Sequence, residues 1–351
     1  MSIVGGLCGV SKKARVLVVD DSAIIRLFVK DLLIAEGFEV ITAKNGREAL
    51  EIASKSAFDA AVLDINMPLM DGISLLKEFV RMGIPSVMFS SLTTDSSKVT
   101  IEALDIGAID FVPKPSVDLA MNINSVRKEL LDKVKIAIMS KRIPIPRMHL
   151  SKRSQVLEIR KEVPAKRAIL IAASTGGPSM IKSVLHDLPK QLGAAVLIVQ
   201  HMPPLFTKAF SESLATFSSI PVKEAEHFEP VYEDNAYVAP GDYHMEVLDD
   251  RIFLHKGEKV NFVRPSADLL FFSAAKQFGP KVVAVILSGM GSDGAKGALT
   301  VKKAGGHVLV QDESTSIVYG MPKAVVEIGA AEEILPIDKM PKRIVDFLEI
   351  M

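Results

Sequence analysis

Cysteine occurs once, at Cys8, so no intrachain disulfide can form; this fits a reducing compartment, and the cytoplasm is the expectation. Net charge is also missing. The 42 Lys and Arg residues balance 42 Asp and Glu, which argues against bulk electrostatic binding to nucleic acid or a membrane surface. No apolar run in the sequence approaches the roughly 20 residues that a membrane-spanning helix requires, so no membrane insertion is expected. Near the start, Ile3–Val10 is apolar but short. Lys12 and Lys13 follow it instead of preceding it, the wrong order for a signal peptide, and Leu7 stands before Cys8 where lipoprotein processing wants a small residue. Residues 1–14 therefore read as an N-terminal extension. Internal repeats and low-complexity segments are absent, as is a helix-turn-helix pattern, which disfavours a transcription factor. What remains is an ordinary globular balance over 351 residues, 48% hydrophobic and 24% charged, long enough for two cores.

Over residues 15–127, short β-branched runs alternate with amphipathic stretches. Strands are predicted at Arg15–Val19, Glu39–Ala43, Ala60–Asp64, Ser86–Ser90 and Asp110–Val112, with helices at Ile24–Glu36, Arg47–Lys55, Ile73–Arg81, Lys98–Leu104 and near Ile123–Met139. Alternation at this spacing argues for βαβ units and a parallel sheet. Residues 128–166 read as a helix end followed by a basic, proline-bearing linker, with Pro144, Pro146 and Pro164. From Arg167 the alternation restarts. Ala168–Ala172, Ala195–Val199 and Val282–Leu287 read as buried parallel strands, and helices are predicted at Pro178–His186, Leu205–Phe217 and Ala267–Phe278. Asn235–Val238, Met245–Leu248 and Arg251–Leu254 look like a small antiparallel insertion, with a hairpin turn at Asp249-Asp250. Val308–Val310 and closing helices near Pro322–Ile328 and Pro341–Ile350 complete the second unit, 167–351. The expected class is α/β: a (βα)5 unit, then a doubly wound, mainly parallel sheet with an antiparallel insertion.

Three carboxylates gather at strand ends of the first unit, Asp20 and Asp21 after the first strand and Asp64 ending the third. In an open parallel sheet these loops share one edge. Carboxylates converging there attract a hard cation, and Mg²⁺ suits oxygen donors while keeping waters for a phosphate. Ser90 ends strand four and Lys114 follows strand five, so a hydroxyl and an ammonium face the acids; a carboxylate can serve as a covalent nucleophile. Any one of these residues is unremarkable as a turn or cap, but the ordered set resembles the response-regulator receiver family. The resemblance implies that Asp64 is phosphorylated. Asp20, Asp21, Asp64 and the Asn66 backbone carbonyl would hold Mg²⁺, and Ser90, Phe111 and Lys114 would form the switch. Phe111 lacks the hydroxyl of the family's common tyrosine.

In the second unit, Ala172-Ala173-Ser174-Thr175-Gly176-Gly177-Pro178 ends a strand and opens a helix, which exposes Ser174 near a helix N-terminus. The next strand ends in Gln200-His201, placing a candidate general base at the same edge. A later strand ends in Gly289-Met290-Gly291-Ser292-Asp293-Gly294. That loop also matches the dinucleotide fingerprint G-x-G-x-x-G. It comes late in the unit, however, and the acid that should end the following strand is replaced by Gln311, with Asp312 one place on. Read as catalytic, three strand-end loops supply Ser174, His201 and Asp293, the triad logic of acyl hydrolysis.

With Gln200-His201-Met202-Pro203, Ala239-Pro240-Gly241-Asp242 and Arg264-Pro265-Ser266, these motifs resemble the catalytic domain of chemotaxis protein-glutamate methylesterases over residues 167–351. The resemblance implies Ser174 as nucleophile, His201 as base and Asp293 as its orienter. It places Met290 at the oxyanion site, gives Thr175 a supporting role, and leaves Arg264 and Tyr319 as candidates for the rim. It further implies methylated chemoreceptors as substrate, a chemotaxis histidine kinase as phosphodonor, receptor glutamines as further substrates, and no cofactor for the ester chemistry.

Overall fold

The computed structural model describes residues 13–115, 123–140 and 162–351. Most of the expected extension and the central part of the expected linker, 141–161, lie outside the described residues. Among those described, no helix is long and apolar enough to cross a membrane.

The first sheet consists of β1 (Arg15–Val19), β2 (Glu39–Ala43), β3 (Ala60–Asp64), β4 (Ser86–Ser90) and β5 (Asp110–Pro113), all parallel, in the order β2-β1-β3-β4-β5. Strands β3 and β4 are buried throughout, because helices cover both faces; that is why they read as continuous apolar runs. The helices are α1 (Ala23–Ala35), α2 (Gly46–Lys55), α3 (Gly72–Met82), α4 (Thr94–Ile106) and α5 (Ile123–Ser140). The first four start on Ser22, Asn45, Asp71 and Thr93, whose side chains each accept the backbone N–H three residues on. Helix α4 begins four residues before the expected Lys98. The polar run Thr94–Ser97 carries no apolar periodicity, and the Thr93 cap starts the helix without it.

A second sheet holds β6 (Ala168–Ala173), β7 (Ala195–Gln200), β8 (Val222–Glu224), β9 (Ala236–Val238), β12 (Val282–Ile286), β13 (His307–Gln311) and β14 (Glu333–Leu335). Every pairing is parallel, in the order β14-β13-β12-β6-β7-β9-β8. Apart from it, β10 (His244–Leu248) and β11 (Arg251–His255) form an antiparallel hairpin, with both turn residues Asp249 and Asp250 at positive φ. The expected three-strand insertion is therefore corrected to two. Asn235–Val238 is instead the β9 region of the main sheet, and its three strand residues are fully buried between β7 and β8. A three-residue run is too short for periodicity to separate the two cases. Helices α6 (Gly177–Asp187), α7 (Phe206–Ala215), α8 (Ala267–Phe278), α9 (Ala295–Lys303), α10 (Met321–Glu327) and α11 (Met340–Ile350) flank this sheet.

The two sheets share an apolar cluster that contains Leu104 and Phe111 from one side and Met202, Phe206 and Phe210 from the other. At its centre Phe111 stacks on Phe206, ring centroids 4.3 Å apart and planes 22° from parallel. Polar contacts flank the stack. Buried Lys182 on α6 pairs with Asp105 on α4 and donates to Ser213 Oγ at 2.9 Å. Lys98 reaches Glu212 at 3.8 Å. The contact thus runs along the α4–β5 flank of the first sheet.

Candidate active site

Strand β6 lies between β7 and β12, and the chain leaves it in opposite directions to reach them. This is the point where loops from neighbouring strands diverge and open a crevice. Ser174 follows β6, His201 follows β7, and the loop holding Met290 and Asp293 follows β12. Ser174 is drawn into place by backbone bonds: its N–H donates to Ser288 O at 3.0 Å, and its carbonyl accepts from Gly177 N at 2.8 Å and from Gln200 Nε2 at 2.9 Å. Gly176 turns the chain at φ 77°. Gly289 lets the β12 loop close on the serine, since a Cβ there would stand 2.9 Å from Ser174 Cβ and 2.3 Å from Met321 Sδ.

His201 Nε2 lies 2.8 Å from Asp293 Oδ2. With Nε2–H donated to the carboxylate, Nδ1 is the ring nitrogen left to accept a proton, the reverse of the ring orientation in the chymotrypsin template. Among the described residues no hydrogen bond joins the Ser174 hydroxyl to His201; catalytic hydrogen bonds are often loose before substrate binds. Asp293 is buried, 2% exposed, and a charge held away from water needs partners. Besides His201 it accepts from Ser266 Oγ at 2.6 Å, Ala267 N at 2.6 Å, Asn261 Nδ2 at 3.0 Å and Asp268 N at 3.3 Å. The carboxylate therefore sits on the N-terminus of α8, where the helix dipole favours negative charge. Burial alone would raise its pKa. The bond and charge of His201, with Ser266 and the Ala267 N–H, outweigh burial and bring it from 3.8 to about 2.

Met290 is half exposed, and among the described residues no acceptor takes its backbone N–H. Thr175 is buried, and its hydroxyl is donated across the domain contact to Asp110 Oδ2 at 2.6 Å. A cavity of about 740 Å³ opens over this edge. Ser174, His201, Met290 and Arg264 line one side, and Lys128 and Lys133 of α5 line the other. Arg264, a candidate for the rim, is among these lining residues. Tyr319 is not among the lining residues; its backbone bridges to Gly289. Asp312, the acid that kept a dinucleotide reading open, is occupied in its own loop by Ser314 Oγ at 2.6 Å and Thr315 N at 3.0 Å.

Residues 169–344 match the family model described as CheB methylesterase, and residues 16–123 match the response regulator receiver domain. A protein-glutamate methylesterase/protein-glutamine glutaminase of Pyrococcus horikoshii is 42% identical over 349 residues, covering 97% of this chain and 95% of its own. The Thermotoga maritima protein of the same name is 40% identical, covering 95% and 98%. The chain belongs to the CheB methylesterase family. The crystal structure of the Thermotoga maritima CheB methylesterase catalytic domain superposes with a TM-score of 0.50 at 42% identity, covering 51% of this chain and 97% of that one.

At the receiver edge of this CheB-family chain, β1 and β3 are neighbours, and oxygens of Asp20, Asp21 and Asp64 lie within 4.8 Å of one another. Asp20 and Asp64 are buried and Asp21 is exposed. Lys114 Nζ bridges Asp20 Oδ2 at 2.7 Å and Asp64 Oδ1 at 2.8 Å. Burial raises the Asp64 pKa; Lys114 opposes that shift, and the charge of Asp20 adds to it. The oxygen donor set fits a hard divalent cation. Asn66 follows β3 immediately beyond Ile65. Ser90 ends β4 and accepts the Thr100 hydroxyl of α4 at 2.8 Å.

Three residues that sequence reasoning did not single out enter these sites. Asp110 meets Thr175, and Asn261 and Ser266 hold Asp293. Ser266 stood within a quoted motif without a role; Asn261 and Asp110 carried no local signal.

Asp293→Asn is expected to favour the wrong imidazole tautomer and slow turnover about 10⁴-fold; turnover retained with only ~1 kcal/mol of stability lost would mark a mere cap. The depressed pKa means the native state resists protonation more than the unfolded chain does. The ionised carboxylate therefore contributes stability, about 2 kcal/mol, that is complete above the ordinary 3.8 and lost as pH falls to about 2. Urea unfolding of parent and Asp293→Asn at neutral pH and near pH 2 should show that gap closing. For the receiver edge, a small phosphodonor with Mg²⁺ should place one acid-stable, base-labile phosphate on the chain, and Asp64→Asn should abolish it; labelling that persists removes Asp64 from that role.

Proposed function

We propose that this chain hydrolyses methyl esters on glutamate side chains of chemotaxis receptors and deamidates receptor glutamines, under control of phosphorylation at Asp64. The observation that carries the reading is the buried Asp293–His201 pair standing at the same sheet edge as Ser174. In this mechanism Ser174 Oγ attacks the ester carbonyl while His201 Nδ1 takes its proton. The oxyanion forms beside the Met290 N–H, and Thr175 supports the same loop. Collapse breaks the ester C–O bond, His201 returns the proton, and methanol leaves. Water then attacks the acyl-Ser174 carbonyl with His201 again as base, and collapse of this second intermediate breaks the acyl–Oγ bond, returns the proton from His201 to Ser174 and releases the glutamate side chain. A glutamine follows the same path with ammonia as the first leaving group, so one oxyanion site serves both substrates. No cofactor enters this chemistry.

Control rests on the domain contact. Asp110, next to Phe111, holds the Thr175 hydroxyl, while α5 stands across the cleft from Ser174. This arrangement is the closed form. Mg²⁺ held by Asp20, Asp21, Asp64 and the Asn66 carbonyl would neutralise the phosphate delivered by a chemotaxis histidine kinase. Ser90 and Lys114 then turn toward the phosphoryl oxygens, and Ser90 leaves Thr100. Helix α4 carries both Thr100 and Asp105, so the shift weakens the Lys182–Asp105 pair and the Phe111–Phe206 stack, and the population moves toward an open form. The setting is the cytoplasm, with neither nucleic acid nor membrane insertion as a partner. Domain boundaries at 15–127 and 167–351, joined by 128–166, serve this scheme.

Methanol release from methylated receptors tests it. Ser174→Ala should lower the rate by several orders of magnitude without loss of fold; near-normal release by the folded variant defeats the reading. Lys182→Met keeps side-chain bulk while deleting the interdomain charge. It should raise the unphosphorylated rate several-fold and shrink the response to phosphodonor; an unchanged basal rate would leave the receiver a recruiting module.

A further inference from the structure

Strands β6 and β7 run side by side up to the pair Ala173 and Gln200, and one backbone bond, from His201 N to Ala173 O at 3.1 Å, carries the ladder a step further. Beyond it Ser174 and His201 leave on separate loops. Ser174 is tied by its N–H to Ser288 O, and His201 by its ring to Asp293, so both ties run to the chain after β12. Two loops held only through a third would leave the distance between nucleophile and base loosely set. A direct link is present, and it is a side chain: Gln200 Nε2 donates to Ser174 O at 2.9 Å and to His201 O at 3.3 Å. Among the described residues no other hydrogen-bonding group joins those two residues.

Glutamine suits this place because its one amide nitrogen carries two hydrogens that point apart, enough for two carbonyls, where a hydroxyl offers one. A penalty is visible on the same side chain. Gln200 is 2% exposed, and its Oε1 is buried with no hydrogen-bond partner among the described residues. A buried polar atom left unpaired is rare and unfavourable. The neighbouring helix also makes room for the amide. Gly177 opens α6 without a positive φ, yet a Cβ there would stand 2.3 Å from Gln200 Oε1 and 2.5 Å from Ala173 Cβ. Its missing side chain therefore answers a close approach, not a backbone conformation. An apolar side chain of the same length would fill the space without orphaning an oxygen; what it would lack is the pair of amide hydrogens.

We infer that Gln200 is a positioning residue: its amide clamps the backbone of Ser174 to that of His201 and so sets the separation of the Ser174 hydroxyl and His201 Nδ1. It touches neither substrate nor reacting atoms. Its effect falls on the proton transfer from Oγ to Nδ1, which is steeply sensitive to the geometry of the two groups, while substrate binding elsewhere in the cleft is left alone. Gly177 N, which donates to the same Ser174 carbonyl at 2.8 Å, holds the serine to α6 and does not replace the link to His201. The inference rests on the esterase reading above and adds to it the group that keeps nucleophile and base in register.

Gln200→Met tests this in the full chain, activated by phosphodonor and Mg²⁺. Methionine keeps the length and bulk, and removes the donor together with the orphaned oxygen. Its melting temperature should stay within about 4 °C of the parent. With methylated receptors, kcat should fall roughly 10²-fold while KM stays within about twofold, the pattern of a misplaced reacting group. A fluorophosphonate forms an Oγ–P bond at Ser174 as fluoride leaves and His201 takes the proton; it should label the folded variant more slowly by about the same factor. Where the methionine variant fails to fold, Gln200→Leu carries the same comparison per folded molecule. A kcat within about twofold of the parent, or one that falls only as far as the folded fraction falls, overturns the inference. So does a rise in KM with kcat retained, which would put Gln200 in contact with the substrate. Failure of the esterase reading is separately visible as methanol release that survives Ser174→Ala.

Discussion

The second sheet's site is organised around one buried negative charge. Asp293 cannot be ionised inside the protein unless donors surround it, and the chain supplies them from places far apart in sequence: His201 after β7, Asn261 in the loop beyond the hairpin, and Ser266 with Ala267 and Asp268 where α8 begins. Each donor is positioned by that demand. Helix α8 points its N-terminus at the carboxylate, and its Asp268 in turn accepts Gly297 N at 2.7 Å, which locks α9 against α8. His201 is held in one orientation by the same oxygen that binds Ala267. Buried His244 accepts Ser266 N at Nδ1, 3.2 Å away, and is bonded through Nε2 to Glu258 O at 2.9 Å, and burial lowers its pKa toward the neutral form this pattern needs.

The contact between the two sheets has a different character. A stacked aromatic pair lies between an apolar cluster and a small set of polar bonds, Thr175 to Asp110 and Lys182 to Asp105. Polar bonds of this sort add little net stability, yet they fix geometry, and their loss is felt where they end. Thr175 ends beside Ser174. The α5 side of the cleft adjoins the strand that carries Phe111, and Ser90 at the end of β4 is bonded to Thr100 of α4, the helix that also carries Asp105.

The parallel architecture was legible because its physics is local and repetitive. Strands covered on both faces must be apolar throughout, helices covered on one face must be periodic, and the carboxyl ends of parallel strands must share an edge. Those rules suffice to bring Asp20 near Asp64, and Ser174 near His201 and Asp293, before any coordinates. Where the rules lack material, reading falls short. Strands β8, β9 and β14 have three residues each, too few to display a period, so the pattern groups β9 with the hairpin and gives no sign of β8 or β14. The polar first turn of α4 failed for the same reason.

What the chain by itself determined was therefore which residue types stand at which strand ends, and hence the class of chemistry open to each edge. What only tertiary structure decided was the company those residues keep. Asn261 is 32 residues from Asp293, and Asp110 is 65 from Thr175. No periodicity or cap connects either pair, because a carboxylate draws its partners from whatever backbone packing brings within hydrogen-bond reach. The exposure of Phe262 belongs to the same category. Its neighbours along the chain resemble those of a core residue, and only the closure of the Val260–Val263 turn on the anchors of Asp293 and Arg264 leaves its ring in water.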